Sequence, residues 1–251
     1  MSNKPGFFIT LRMIVILIAE IILLPICIIM MALGNLISLG RLQDATFRMA
    51  SYVFGRTGLF LAGIRLDIRY HAEKPPEPAV YLFNHCSTLD LFVITALSLP
   101  GVRYIAKKEI GYNPLFWAIA KLSGQIMINR KDPRQAITQM NRAYKYLRRN
   151  RFSLMMAPEG TRSPTGKILP FKSGAFHAAA ELGYPVVPVY IEGAYALCPG
   201  KSLIARPGRI TVHFHKPVDA SGWSKKSIRK HADEMRERYL KWNGEVPQTG
   251  F

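Results

Sequence analysis

The amino-acid sequence predicts an α/β fold. We expect a single domain with a largely parallel mixed β-sheet flanked by helices, preceded by an N-terminal membrane-embedded helical segment. Two observations support this prediction. From residue 65 onward, short apolar runs alternate with stretches of helical periodicity, which is typical of βαβ units. Before that point, residues 13–33 form a run that is apolar except for Glu20. The chain has 251 residues and is 49% hydrophobic, so it can bury a full core.

Residues 13–33 match the hydrocarbon thickness of a membrane. At about 1.5 Å per residue, such a helix reaches about 31 Å. The run contains 13 Ile, Leu and Val residues; these contribute roughly −4 to −8 kcal/mol to insertion, against roughly +3 kcal/mol for one central acid. A cleaved signal peptide is the alternative, because basic residues precede the run and small residues follow it. The run is longer than a signal peptide requires, so we expect it to be retained.

The next segment, residues 36–64, mixes apolar and basic residues. This pattern favours one or two amphipathic helices at a membrane interface, and an ordinary surface helix facing the core is the alternative. Basic residues flank the apolar run on both sides, so the positive-inside rule does not decide between a span and a hairpin. We therefore divide the chain into an anchor with interfacial helices, residues 1–64, and a catalytic domain, residues 65–251.

Within the domain, two helices are predicted at 132–149 and 224–243. Asp132 can cap the first of them, and Pro133 suits its first turn. Pro188 interrupts an apolar run and indicates a sheet edge, a bulge or a strand end, because proline has no N–H to donate. The predicted strands are 66–70, 80–84, 102–106, 125–129, 152–157, 186–191 and 210–214.

The net charge of the chain bears on which molecules it binds. The chain has 34 Lys and Arg against 16 Asp and Glu, a formal charge of +18, and this excess attracts polyanions of any kind. No recognised nucleic-acid motif is present, and nucleic-acid binding would leave the apolar N-terminus unexplained. We expect membrane lipids as partners and no nucleic acid. We also expect no metal site, because His213 and His215 share one strand face without an evident acidic or cysteine partner.

The segment NHCSTLD, residues 84–90, follows a predicted strand and opens a helix. One interpretation is structural, since Ser87 and Asp90 fit a helix-capping pattern. The other is catalytic. His85 lies at the carboxyl edge of the sheet, where α/β proteins build their sites, and Asp90 can reach back to one imidazole nitrogen. Such a pair can take a proton from an attacking alcohol. A cysteine nucleophile is disfavoured, because Cys86 points away from His85 along an extended chain.

Four segments together resemble the glycerolipid acyltransferase family, typified by the bacterial 1-acylglycerol-3-phosphate acyltransferases. They occur in the family's order and cover roughly residues 80–190. PEGTRS matches the family's third motif without a change, whereas the apolar run around a proline is the least specific of the four. The matching positions are Asn84, His85 and Asp90; Gly124 and Arg130; residues 158–163; and residues 186–189.

The resemblance implies roles for these residues. His85 would be the general base, and Asp90 would orient it. Arg130 and the third motif would hold the acceptor's glycerol and phosphate, since a guanidinium binds phosphate through two charge-assisted hydrogen bonds. Lys107 matches a further basic position between the first two motifs, with Lys108 as its alternative. The expected substrate-binding residues are Lys107, Arg130, Glu159, Gly160, Thr161 and Arg162.

The resemblance also implies an activity. A fatty acyl group would pass from acyl-CoA or acyl carrier protein to the free hydroxyl of a lysophospholipid, with 1-acylglycerol 3-phosphate and phosphatidic acid as the preferred acceptor and product. No metal or other cofactor is expected. The enzyme would lie at the cell membrane with its active site facing the cytoplasm. Another acceptor, such as a lyso-ornithine lipid, is one alternative. A basic membrane- or nucleic-acid-binding protein without catalysis is the other, and the intact His85 and Asp90 weigh against it.

Overall fold

A seven-stranded sheet forms the centre of the structure, a computed structural model that describes residues 7–129 and 131–245. Across the sheet the strand order is β1-β7-β6-β2-β5-β3-β4. The five strands from β6 to β4 run parallel, whereas β7 is antiparallel to β6 and carries β1 parallel to itself. The predicted mixed, largely parallel α/β sheet is confirmed. The strands are β1 (Ile64–Tyr70), β2 (Val80–Phe83), β3 (Val102–Lys107), β4 (Ile126–Ile128), β5 (Ser153–Met156), β6 (Val186–Glu192) and β7 (Gly208–Phe214).

Helices cover both faces of the sheet. The helices are α1 (Phe7–Ile37), α2 (Gln43–Leu61), α3 (Leu89–Leu97), α4 (Pro114–Ser123), α5 (Pro133–Asn150), α6 (Gly174–Leu182), α7 (Ala194–Leu197) and α8 (Ile228–Trp242), with a 3₁₀ turn at Lys108–Tyr112. One apolar core joins the sheet to α5, α6 and α8, and a second joins its other face to α2 and α3. A smaller cluster holds α1 and α4 against α2. Helices α1 and α4 therefore lie on the α2 and α3 face of the sheet.

The predicted helices begin close to where the sequence places them. The carboxylate of Asp132 accepts hydrogen bonds from Arg134 N and Gln135 N, and α5 follows with proline in its first turn. The last helix begins at Ile228, four residues later than predicted, because Ser224 and Ser227 close a separate turn whose hydrogen bonds compete with the helix.

Pro188 lies in an interior strand, so a position at the sheet edge is wrong. Strand β6 pairs with β2 on one side and β7 on the other. On the β7 side the ladder runs only as far as the pair Val189–Phe214. Pro188 lies just beyond that pair, where its carbonyl accepts from His215 N at 3.0 Å. The missing N–H thus falls just past the end of the β6–β7 ladder, although Pro188 itself lies inside β6.

The long helix α1 packs along the domain over most of its length. A Cβ on Gly34 would collide with Thr46 of α2, and the Asn35 amide donates to Leu122 O of α4 at 2.8 Å. Near the other end, the Arg12 guanidinium lies beside Gly63. Among the described residues, Ile9–Ile37 is the one helical stretch long and apolar enough to cross a membrane, judged by length and composition alone. The opposite side of α1 is a continuous exposed apolar face.

Candidate active site

The candidate site begins where β2 ends. After Phe83 the side chain of Asn84, and not the backbone, continues the hydrogen bonding to β6. Its amide donates to Ile191 O at 3.0 Å, and its oxygen accepts from Ile191 N at 2.7 Å. One step earlier, the Tyr239 hydroxyl of α8 donates to Leu82 O at 2.7 Å and accepts from Val189 N at 3.1 Å. Side chains thus replace backbone pairing between β2 and β6. The chain leaves the sheet at this point, and the next residue is His85.

His85 and Asp90 form a close pair. The imidazole Nδ1 lies 2.7 Å from Asp90 Oδ2. The same carboxylate oxygen accepts from Cys86 N at 2.8 Å and Ser87 N at 2.9 Å, at the start of α3. One oxygen therefore holds both the start of the helix, in line with the structural interpretation, and the imidazole; the catalytic role of the pair stays a prediction. The Asp90 side chain is fully buried, whereas 28% of the His85 side chain is exposed.

This arrangement selects one tautomer of His85. An ionised carboxylate can only accept, so Nδ1 carries the hydrogen and Nε2 has the free lone pair. Within residues 7–129 and 131–245, no side chain or backbone group hydrogen-bonds to Nε2. The ring packs edge-on against Phe83, with centroids 5.7 Å apart. The nitrogen that can act as a base is thus free to meet a substrate hydroxyl.

The loop after β5, residues 158–163, holds the backbone of His85 from both sides. Glu159 Oε1 accepts from His85 N at 2.8 Å, and Ser163 N donates to His85 O at 2.7 Å. The other oxygen of Glu159 accepts from Leu169 N at 3.1 Å. The third motif therefore positions the first. Sequence analysis missed this role of Glu159 and Ser163, although both motifs follow strands that prove to be neighbours.

Glu159 is only 2% exposed. Burial raises the pKa of its carboxyl to about 7, and the two backbone N–H groups oppose that rise in part. Arg162 Nη1 donates to Thr88 Oγ1 at 2.7 Å. Glu159 contributes positioning through His85, and its predicted contact with substrate stays a prediction.

The other predicted substrate contacts lie around this edge. Thr161 is exposed and Gly160 has a φ of +73°, which favours glycine. Lys107 ends β3 on the surface, two strands from β2, a distance of roughly 10 Å at ordinary strand spacing. Lys108 is also exposed, so both lysines remain candidates. Arg130 lies outside the described residues.

Comparison with known proteins agrees with this geometry. A family model described as Acyltransferase matches residues 67–192, half of the chain. The chain belongs to the acyltransferase family. The matched range takes in the His85–Asp90 pair, the loop at 158–163 and strand β6.

Several relatives carry one name, 1-acyl-sn-glycerol-3-phosphate acyltransferase. The protein from Escherichia coli is 30% identical over 197 residues, covering 76% of each chain. The one from Haemophilus influenzae is 28% identical and covers 88% of this chain and 93% of its own. The one from Cocos nucifera is 33% identical, and the match spans 75% of this chain and 61% of the relative's length.

A solved structure shares the fold of this acyltransferase. It is the crystal structure of the 1-acyl-sn-glycerophosphate (LPA) acyltransferase, PlsC, from Thermotoga maritima. The superposition has a TM-score of 0.65 and covers 93% of this chain and all of the other. Sequence identity is 23%, so the likeness shows the architecture, including the long N-terminal helix.

The cysteines of this acyltransferase are poor nucleophiles. Cys86 and Cys198 are both buried. Burial is the largest cause that raises the pKa of each thiol, and the nearby Asp90 carboxylate adds to the rise. The reactive thiolate is therefore disfavoured at neutral pH. This agrees with His85 acting as a base on the substrate hydroxyl.

The histidines at the end of β7 have an acidic neighbour that the sequence did not reveal. His213 Nε2 lies 3.0 Å from Glu192 Oε2, and His213 Nδ1 lies 2.9 Å from His71 Nε2. Burial and the two other histidines lower the pKa of His215 to about 4. Across the described ranges, no group of three or more His, Cys, Asp or Glu side chains is arranged to hold a metal ion.

Proposed function

We propose that the protein transfers a fatty acyl group from acyl-CoA or acyl carrier protein to the free hydroxyl of 1-acylglycerol 3-phosphate, forming phosphatidic acid for phospholipid biosynthesis. The observation that carries this proposal is the buried Asp90 carboxylate, 2.7 Å from Nδ1 of a His85 whose side chain is partly exposed at the sheet edge. The shared name of the relatives supports the choice of acceptor.

The chemistry follows from the free Nε2 of His85. It takes the proton from the acceptor hydroxyl as the oxygen attacks the thioester carbonyl. The tetrahedral intermediate then collapses: the carbon–sulfur bond breaks, and the imidazolium returns its proton to the leaving thiolate. Asp90 keeps the ring in the productive tautomer and stabilises the imidazolium between the two steps. One ester forms, one thioester is lost, and the base is regenerated.

The acceptor phosphate needs cationic partners near His85. We assign Arg162 first, because its guanidinium already reaches Thr88 at the start of the helix that carries Asp90. The planar guanidinium has further donors to offer a phosphate oxygen. Lys107, at the end of β3 farther along the same edge, is proposed as an additional contact, and so is Arg130. Gly160 and Thr161 would shape the space for the glycerol.

The membrane setting fits an acceptor and a product that are lipids. Helix α1 contacts the domain near both Arg12 and Asn35, so it does not stand clear of the catalytic domain. This favours a hairpin of α1 and α2 embedded from one side over an isolated span. We propose a cell-membrane location with the active site facing the cytoplasm, because the acyl donors are soluble there. The division between anchor and catalytic domain at residue 64 is also proposed, and it falls at the start of β1.

The test is identification of the product. Vesicles containing the purified protein are incubated with labelled acyl-CoA or acyl carrier protein and a panel of lysolipids that includes 1-acylglycerol 3-phosphate and lyso-ornithine lipid. We expect labelled phosphatidic acid, and its loss when His85 is replaced by Ala. His177→Ala, at an exposed position on α6, is the matched control and should keep full activity. Full activity in His85→Ala would refute the mechanism, and a different labelled product would refute the acceptor.

A further inference from the structure

An uncovered apolar patch follows β3. It lies on the 3₁₀ turn and the first half of α4, where five large side chains are exposed within eight positions. We call it the 110–117 patch, and its members are Ile110, Tyr112, Leu115, Phe116 and Trp117. Tyr112 is 75% exposed and Trp117 is 51% exposed. Single exposed apolar residues are ordinary, but a contiguous group of this size marks a surface that something else covers.

The 110–117 patch adjoins helices α1 and α2. The second half of α4 packs against α1 and α2 through Ile119 and Leu122. The Leu122 carbonyl also accepts hydrogen bonds from the side chains of Asn35 at 2.8 Å and Gln43 at 3.0 Å. One end of α4 is thus fixed to the helices whose apolar face is exposed, and the patch lies on the uncovered remainder of the same helix. The patch extends that apolar surface.

The charges around the patch favour a lipid surface as its occupant. Lys107 and Lys108 precede it and are exposed, and the Lys121 ammonium lies 6.0 Å from the centre of the Trp117 ring. The one acid within the turn, Glu109, faces Lys131 at 3.4 Å. Tyrosine and tryptophan with flanking lysines are the composition found at bilayer interfaces, where lysines meet anionic headgroups.

The 110–117 patch lies close to the candidate active site. It follows the carboxyl end of β3, at the same sheet edge as His85, with only β5 between β3 and β2. We propose that the 110–117 patch is a further membrane contact, seated in the interfacial layer of an anionic bilayer beside the active site. An acceptor lipid could then present its hydroxyl without leaving the bilayer. The inference concerns membrane contact, and it holds whether or not the acceptor is 1-acylglycerol 3-phosphate.

Tryptophan fluorescence tests the contact directly, because the chain has three tryptophans. Trp223 and Trp242 pack against the core on the α5, α6 and α8 face, so the double variant W223F/W242F isolates Trp117. The matched protein W117F retains the other two. Both are bound to phosphatidylcholine–phosphatidylglycerol vesicles, with or without bromine on the upper acyl chain, and flotation confirms binding. We expect bromine to quench Trp117 strongly and to leave W117F unchanged. Equal emission of bound Trp117 in both vesicles would overturn the proposal.

An activity measurement separates membrane contact from chemistry. Trp117→Ser should lower the rate several-fold on a long-chain acceptor embedded in vesicles and leave the rate on a dispersed short-chain acceptor unchanged. Ile137→Ser is the matched control, an exposed apolar residue on α5 of the opposite face, and it should change neither rate. Equal losses of Trp117→Ser on both acceptors would refute the interfacial role. If no variant acylates either acceptor, the proposed function is refuted. The quenching result then decides the membrane contact independently.

Discussion

Replacing Asp90 by Asn removes one charge at the point where three hydrogen bonds converge. Oδ2 accepts from His85 Nδ1, Cys86 N and Ser87 N, at 2.7, 2.8 and 2.9 Å. An asparagine oxygen in the same place can still accept these hydrogens. Its amide nitrogen then occupies the site of Oδ1, a buried atom that has no hydrogen-bond partner among the described residues. The shape of the site is kept, and its charge is lost.

The size of the effect follows from these contacts. A hydrogen bond to a charged group contributes about 1.5–3 kcal/mol and a neutral one about 0.5–1.5 kcal/mol, so weakening all three costs about 3 kcal/mol of folding stability. The imidazolium formed during the reaction also loses its counter-charge. We expect the rate of acyl transfer to fall by roughly 10² to 10⁴, which corresponds to about 3–5 kcal/mol in the barrier.

The assay is the initial rate of thiol release from acyl-CoA with 1-acylglycerol 3-phosphate as acceptor, measured beside thermal unfolding by circular dichroism. Asp233→Asn is the matched control, because that carboxylate pairs with Arg229 on the exposed face of α8, and its rate should stay at the wild-type level. A folded Asp90→Asn protein that keeps about half of the wild-type rate or more would refute the role given to the carboxylate in general-base catalysis.

Two further predictions concern the groups that hold the site. Burial raises the pKa of Glu159 from 4.5 to about 7. Between these two pH values the native state therefore binds more protons than the unfolded state. The free energy of unfolding of the wild-type protein should fall by up to roughly 3 kcal/mol as the pH rises through this interval. Thermal unfolding at pH 5 and pH 7.5 should show this loss of stability in the wild-type protein and no such loss in Glu159→Gln. The same pH dependence of stability in both proteins would contradict the prediction. Tyr239→Phe leaves two buried backbone groups unpaired and should cost about 2–5 kcal/mol in chemical unfolding. Tyr184→Phe, whose hydroxyl makes one long contact of 3.5 Å, should cost far less, and equal losses would contradict the role of Tyr239.

The sequence predicts those features that depend on near neighbours. Most of the seven strands are short apolar runs between turns, β1 alternates apolar and charged residues, and α5 has its cap and first-turn proline within two residues. The pairing of His85 with Asp90 is also local, because a strand end and a helix start bring together residues five positions apart. Local signals of this kind are sufficient when the contact lies within one turn of helix.

The features that the sequence does not predict depend on strand order. Glu159 reaches His85 only because β5 lies next to β2, and no local pattern reveals that neighbour. The same holds for Glu192, which meets His213 across the antiparallel pair of β6 and β7. Pro188 was ambiguous for the same reason: an apolar strand with one proline does not show which of its sides has a partner at that residue.

The pairing of β1 with β7 affects the order in which the sheet can form. Among the described strands β1 pairs only with β7, and the pair Ile64–Gly208 joins residues far apart in the chain. During synthesis α1, α2 and β1 emerge first. Strand β1 gains its hydrogen-bonded partner only after β7, the last strand, has been made. Such a long-range pairing is slow to form. A nascent chain or fragment ending before Gly208 would carry β1 as an open edge beside the membrane, the kind of edge that recruits other chains into aggregates.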